Sequence, residues 1–441
     1  MNDRFVVNII CKPIIVLAFA TLLLSPQWAA AGDFVMVKDR VLSPGTSEQA
    51  GLNGKQVEGT IRQWFEEGRM PGAVYLVARQ GRIVAHGAVG WADIEKGRPM
   101  HSDTVINIAS TSKAITGTAM MILWDEGKFA MDDPVGKYIP AFINTALEDG
   151  RKPETRLTIR HLFTHTHGIP ELLNGSCETG GTEELTLKEG IEKMASLPLL
   201  FPPGSQAKYS GLYVVAYLIQ EFSGMPCPDF LKARLFDPLG MSDTYIVPPD
   251  EVYSKVAQYH GFESGKWIRA KQESYVPKTE FEQTGATFST TRDLAVFLQM
   301  ALNGGVYDGK RILSPEAVAE MCKILGPAPH YTRKGIPYYR GAAWAVGPTL
   351  RGIPEASLTK NLASRPRSAG DPQRFFWHLG GGGVFIFGDH DADLLGVFAT
   401  QITGRRQDEL RTPDYVDFSL VVMNAVSPLQ KDTKERATRA R

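Results

Sequence analysis

The sequence predicts an α/β (α+β) fold: a mostly antiparallel sheet flanked by helices, with a helical domain inserted. Two observations predict it. Strand-like runs lie toward both ends of the 441 residues, while helical patterns and Pro/Gly turns fill the middle. A hydrophobic content of 43% with 22% charged residues is that of a globular enzyme able to bury a substantial core.

Taken in order, the chain opens with Arg4 and Lys12 before the apolar run PIIVLAFATLLLS, followed by Ala29 and Ala31. A basic region, a short apolar stretch and small residues read as a signal peptide over 1–31 cut after Ala31, the alternative being an uncleaved anchor. The run is shorter than the ~20 residues of a membrane span. Residues 57–67, VEGTIRQWFEE, put Ile61, Trp64 and Phe65 on one helical face. PGAVYLVARQGRIVAHGAVGW then reads as two strands joined at Gln80-Gly81. Helical periodicity takes over at 106–126. From about 130 to 280, short helical patterns alternate with turns such as FPPGS and DPLGM. GATFSTTRDLAVFLQMALNGG is a strand and then a helix stopped at Gly304-Gly305. WAVGPTL, FFWHLGGGGVFIFG and DLLGVFATQIT are further strand candidates. A helix over roughly 413–425 precedes the polar tail KDTKERATRAR, read as disordered over 431–441. The domain over 32–430 therefore divides into a sheet part (about 55–105 and 285–425) and a helical part (about 106–284).

Charge excludes one class of function. Lys+Arg and Asp+Glu each number 48, so no basic field favours nucleic acid. Removal of residues 1–31 leaves Cys177, Cys227 and Cys322, which form no C-x-x-C pair; one disulfide among them is an open possibility.

The chemistry begins at INIASTSKAITG, residues 106–117. Ser110 and Lys113, three apart, share a helical face. A serine hydroxyl needs an adjacent base to become a nucleophile, and a lysine serves only if its environment favours the free amine. A helix N-terminus adds donors suited to an anionic intermediate. In AKYSGLY, Tyr209 is either a core aromatic or a proton relay beside Lys113. In WHLGGGG, His378 precedes four glycines, which mark either bulges or close approach by a ligand.

S-x-x-K, then Y-S-x about a hundred residues on, then H-x-G near the end resembles the serine β-lactamase and penicillin-binding protein superfamily. The similarity is to the class C β-lactamase-related group, which includes family VIII carboxylesterases. MPGAVYLVARQGRIV, MHSDTVINIASTSKAITG, DDPVGKYIPAF, LTIRHLFTHTHGIP, FPPGSQAKYSG, DPLGMSDTY, FSTTRDLAVFLQMALNGG and WHLGGGG follow that group's usual order, covering about 55–425. The resemblance implies a β-lactamase/transpeptidase-like fold and an acyl-enzyme on Ser110, activated by Lys113 and Tyr209 together. It implies an oxyanion hole from the backbone amides of Ser110 and Gly381, with His378, Gly380, Ser210 and Gly211 contacting substrate. No cofactor or metal is implied. Two departures matter. Gly211 stands where an Asn is frequent, and His378 replaces the lysine of K-T-G. Both favour a small or weakly charged ester or amide over a β-lactam.

The expectation is an exported, periplasmic or extracellular serine hydrolase with a small-molecule ester, amide or β-lactam substrate. The alternatives are a β-lactamase or D-alanyl-D-alanine carboxypeptidase and, from another class, a silent ligand-binding relative. Several patterns are set aside. GGVYDGKR ends in Arg311 where a phosphate loop needs Ser or Thr, and DHDADL lacks the glycine of a calcium loop. His161, His165 and His167 have no evident fourth ligand. Glu171 in PELLN reads as a solvated turn residue.

Overall fold

In the computed structural model, residues 37–172, 185–271, 287–323, 325, 331–333, 336–340, 345–347, 374–403 and 411–426 are described. Residues 1–31, read above as a signal peptide, Cys177 and the 431–441 tail lie outside them.

Helix α1 (Gly54–Glu66) buries Ile61 and Trp64 of the face foretold, together with Val57, while Phe65 is half-buried. Strands β1 (Gly72–Arg79) and β2 (Arg82–Asp93) form a hairpin in which Arg79 pairs with Arg82. Its two-residue turn puts Gln80 at φ +53° and Gly81 at φ +75°, the backbone twist that a tight hairpin requires. Helices α2 (Ser112–Asp125), α3 (Tyr213–Ser223) and α4 (Thr291–Leu302) come next. Three short strands follow: β3 (Tyr331–Arg333), β4 (Ile336–Arg340) and β5 (Ala345–Gly347). The long strands β6 (Phe375–Gly380), β7 (Val384–Asp389) and β8 (Leu394–Ala399) then lead to helix α5 (Tyr415–Asn424).

The central sheet runs β2-β1-β8-β7-β6-β5-β4-β3, with Ser43–Pro44 added beyond β2. All these pairs are antiparallel except the edge pairing of Ser43–Pro44 with β2. The chain's two ends thus meet at the β1–β8 seam, where Val77 lies opposite Gly396. FFWHLGGGGVFIFG, read as one strand candidate, is a hairpin. Gly382 and Gly383, at φ +83° and +85°, turn the chain between β6 and β7.

Both faces of the sheet are covered, which explains strands that are apolar throughout and do not alternate. Val74, Leu76, Ile386 and Val397 pack in one core with α2, α3 and α4. Tyr75, Val77, Phe385, Phe387 and Phe398 pack in the other with α1 and α5. There Trp64 meets Phe398 edge-on at 6.2 Å and Phe418 stacks on Phe398 at 5.1 Å. Burying each such aromatic is worth about 1.5–3 kcal/mol before entropy is counted. GGVYDGKR forms the small hairpin Val306–Tyr307/Lys310–Arg311, and DHDADL makes the β7–β8 turn. Cys227 and Cys322 are buried free thiols, each pushed up to about 12 by burial.

Candidate active site

Residues 106–126 are not one helix. Ile106–Asn107 pairs with Phe288–Ser289, a 3-10 turn covers Ala109–Thr111, and only then does α2 begin. Ser110 sits in that turn, where residues three apart nearly eclipse. The turn is held by local chemistry. Ala109 takes φ +46°, and its amide donates to Asn107 Oδ1 at 2.8 Å. Ser112 Oγ donates to the Ala109 carbonyl at 2.6 Å, so this second hydroxyl is an internal cap. Lys113 Nζ reaches Ser110 Oγ at 3.5 Å.

The turn rests on the end of β6. A Cβ on Gly380 would lie 2.2 Å from the Ile108 carbonyl oxygen and 3.0 Å from Thr111 Oγ1, so only glycine lets strand and turn meet. One on Gly381 would come 3.7 Å from Ala109 Cβ. The glycine turn is tied down in its own right, because Thr400 Oγ1 donates to the Gly382 carbonyl at 2.8 Å. Next to it, Gln401 Nε2 donates to the Asn107 carbonyl at 3.1 Å. Asn107, Thr400 and Gln401 therefore link the serine turn to the glycine turn. No motif signalled them, since they act through backbone contacts between distant segments.

Tyr209 lies 42% exposed, with Lys113 Nζ 4.7 Å from its ring centroid. The side-chain nitrogen sits over the ring face. Ser110, Lys113 and Tyr209 are thus brought together from two distant stretches. Ser210, expected to contact substrate, turns inward. Its hydroxyl lies 2.8 Å from His165 Nδ1 and 2.7 Å from His167 Nε2, and the residue is buried. Gly211 has no room for a side chain, because a Cβ would fall 2.2 Å from the Tyr213 ring. Its amide donates to Glu171 Oε1. Glu171 is therefore a partner of the tyrosine segment and not the solvated turn residue expected. Burial raises its carboxyl pKa, opposed by the Gly211 amide and by Lys113 and Lys208.

His378 is only 3% exposed, and its Nδ1 lies 2.8 Å from the Leu379 carbonyl oxygen. A carbonyl can only accept, so Nδ1 carries the proton. The imidazole expected to contact substrate lies beneath the surface. His161 Nδ1 accepts from the Thr158 amide at 3.1 Å, capping the helix Ile159–Phe163. Among the described residues no His/Cys/Asp/Glu group is arranged to hold a metal ion, and no helix is long and apolar enough to cross a membrane.

The family model Beta-lactamase matches residues 57–419. The chain belongs to the Beta-lactamase family. As a member it is a serine hydrolase with the β-lactamase/transpeptidase-like fold. Esterase EstB of Burkholderia gladioli is 33% identical over 248 residues, 54% of this chain and 62% of that protein. An uncharacterized Mycobacterium tuberculosis protein is 28% identical over 370 residues, covering 79% of this chain and 90% of its own. Among solved structures, EstCE1, "a hydrolase with promiscuous acyltransferase activity", superposes with a TM-score of 0.64 at 24% identity. That match covers 87% of this chain and all of EstCE1. A family VIII carboxylesterase gives 0.63 at 21%, covering 89% and 99%.

Proposed function

We propose that this protein is an exported esterase working through a covalent acyl-enzyme on Ser110. The observation that carries the reading is the 3.5 Å approach of Lys113 Nζ to Ser110 Oγ on a turn seated against Gly380. In the forward step Ser110 Oγ bonds to the ester carbonyl carbon, and its proton passes to the Lys113–Tyr209 pair. The carbonyl oxygen becomes an oxyanion facing the amides of Ser110 and Gly381, where each good donor is worth about 3 kcal/mol of barrier. Collapse breaks the bond to the alcohol oxygen, which leaves with that proton. Water then repeats the sequence on the acyl-serine, releasing the acid and free Ser110.

Ester preference is supported by what the site does not offer. Gly211 presents no amide side chain, because the Tyr213 ring fills that space. The lysine position of K-T-G holds a buried imidazole in place of an exposed ammonium. A β-lactam or a peptidoglycan stem carries an amide and a carboxylate that would find no partner at either place. The esterase name of the Burkholderia relative points the same way. Export is proposed from the 1–31 leader alone.

The test compares turnover of p-nitrophenyl butyrate with that of nitrocefin, alongside fluorophosphonate labelling. Ester turnover exceeding nitrocefin turnover, with labelling lost in Ser110→Ala, is expected. Faster nitrocefin hydrolysis would make the chain a β-lactamase or carboxypeptidase. Equal labelling of wild type and Ser110→Ala would make it a silent binder.

A further inference from the structure

One residue from an unexpected place, His165, meets the tyrosine segment at three consecutive positions. Lys208 N donates to the His165 carbonyl at 2.9 Å, and Ser210 N donates to His165 Nδ1 at 3.2 Å. The residue between them is Tyr209, whose ring lies 4.8 Å from the His165 ring at a tilt of 36°. His165 thus grips three consecutive residues through its carbonyl, its ring nitrogen and its ring face.

The hydrogen-bond ledger fixes how that grip is wired. His167 Nδ1 accepts from the Ile169 amide at 2.9 Å, so a neutral His167 carries its proton on Nε2. Nε2–H then donates to Ser210 Oγ, whose own proton is left for His165 Nδ1. That nitrogen already accepts from the Ser210 amide, so it must hold a lone pair. The chain His167→Ser210→His165 has a single polarity, and His165 Nδ1 is its terminal acceptor. His165 is buried and takes φ +57°, a conformation disfavoured for most L-residues and easier for Asn.

We propose that His165 is the positioning residue for Tyr209, its Nδ1 lone pair holding the Ser210 amide and hydroxyl so that the phenol stands beside Lys113. The inference rests on the reading that Tyr209 and Lys113 serve Ser110. It makes Ser210 a strut, which accounts for its burial.

Two substitutions separate this role from general support of the fold. In His165→Asn the amide oxygen can stand where Nδ1 stands. In His165→Gln it reaches to the Nε2 position instead, and Gln80 shows that a glutamine can take φ +53° in this chain. On p-nitrophenyl butyrate, His165→Asn should keep kcat within about fivefold of wild type. His165→Gln should lose about 30-fold or more in kcat with KM changed less than threefold, since misplaced catalytic groups cost rate more than binding. Equal kcat for the two variants, or a loss confined to KM, overturns the proposal. Failure of the underlying reading is distinct: it would appear as Ser110→Ala keeping wild-type turnover.

Discussion

Lys113 Nζ lies 3.5 Å from Ser110 Oγ and, in the same position, over the face of the Tyr209 ring. One side-chain nitrogen therefore reaches both the nucleophile and the phenol ring, and the first prediction concerns it. Arginine stays charged and cannot take up the serine proton. Lys113→Arg should lower kcat on p-nitrophenyl butyrate by about 10²- to 10⁴-fold, the usual worth of a general base. A variant within tenfold of wild type would show that the ammonium matters only as a charge.

Tyr209→Phe keeps the ring that meets Lys113 and His165 and removes only the hydroxyl. If the phenol relays the serine proton, kcat should fall by about 10²-fold or more. Fluorophosphonate labelling of Ser110 should slow in step. Wild-type kcat in this variant would leave Lys113 as the base without help from the phenol.

The seat of the serine turn gives a prediction remote from proton transfer. A methyl at 380 would meet the Ile108 carbonyl oxygen at 2.2 Å, so turn or strand must shift. A displacement near 1 Å can cost about 10²-fold in rate. Gly380→Ala should therefore lose about that much in kcat. At Gly381, where the nearest contact is 3.7 Å, alanine should cost far less. Equal losses at the two positions would argue against this seating.

Acid sensitivity follows from His167. Its burial lowers the imidazole pKa from 6.5 to about 4, with His161 and Lys208 adding to the effect. Above pH 6.5 both the folded and unfolded forms are neutral there, and the group exacts no penalty. Between 6.5 and about 4 the unfolded chain takes a proton that the fold refuses, so stability is lost as pH falls. Asp293 works in the opposite sense, its carboxyl raised to about 6 by burial, so it favours the fold as it protonates. Comparing wild type with His167→Gln cancels that contribution. The urea stability of wild type relative to the variant should decline by up to about 1.4 kcal/mol per pH unit across this window. A difference independent of pH would mean that His167 is readily protonated in the fold.

The fold was legible because its longest signals are local. The Gln80-Gly81 hairpin and the Ile61/Trp64 face of α1 need only spacing to be read. The candidate site was legible where chemistry demands particular residue types, at Ser110, Lys113 and Tyr209, which the structure sets side by side. It was not legible where distant backbone is involved. Nothing in PELLN says that the Glu171 carboxylate will accept the amide of Gly211. Nothing in THTHG says that two imidazoles will enclose Ser210. Those roles exist only once the 165–171 and 208–211 segments are side by side. His378 shows the converse, a residue whose motif position suggested exposure and whose strand register buries it.

In the proposed mechanism a single hydroxyl carries the acyl group between two half-reactions. Rapid acid quenching during turnover of p-nitrophenyl butyrate, followed by peptide mass mapping, reads this directly. A butyryl group is expected on the peptide holding Ser110 and is expected to be absent in Ser110→Ala. Undiminished turnover with no acylated peptide, or with the acyl group on another residue, would contradict it.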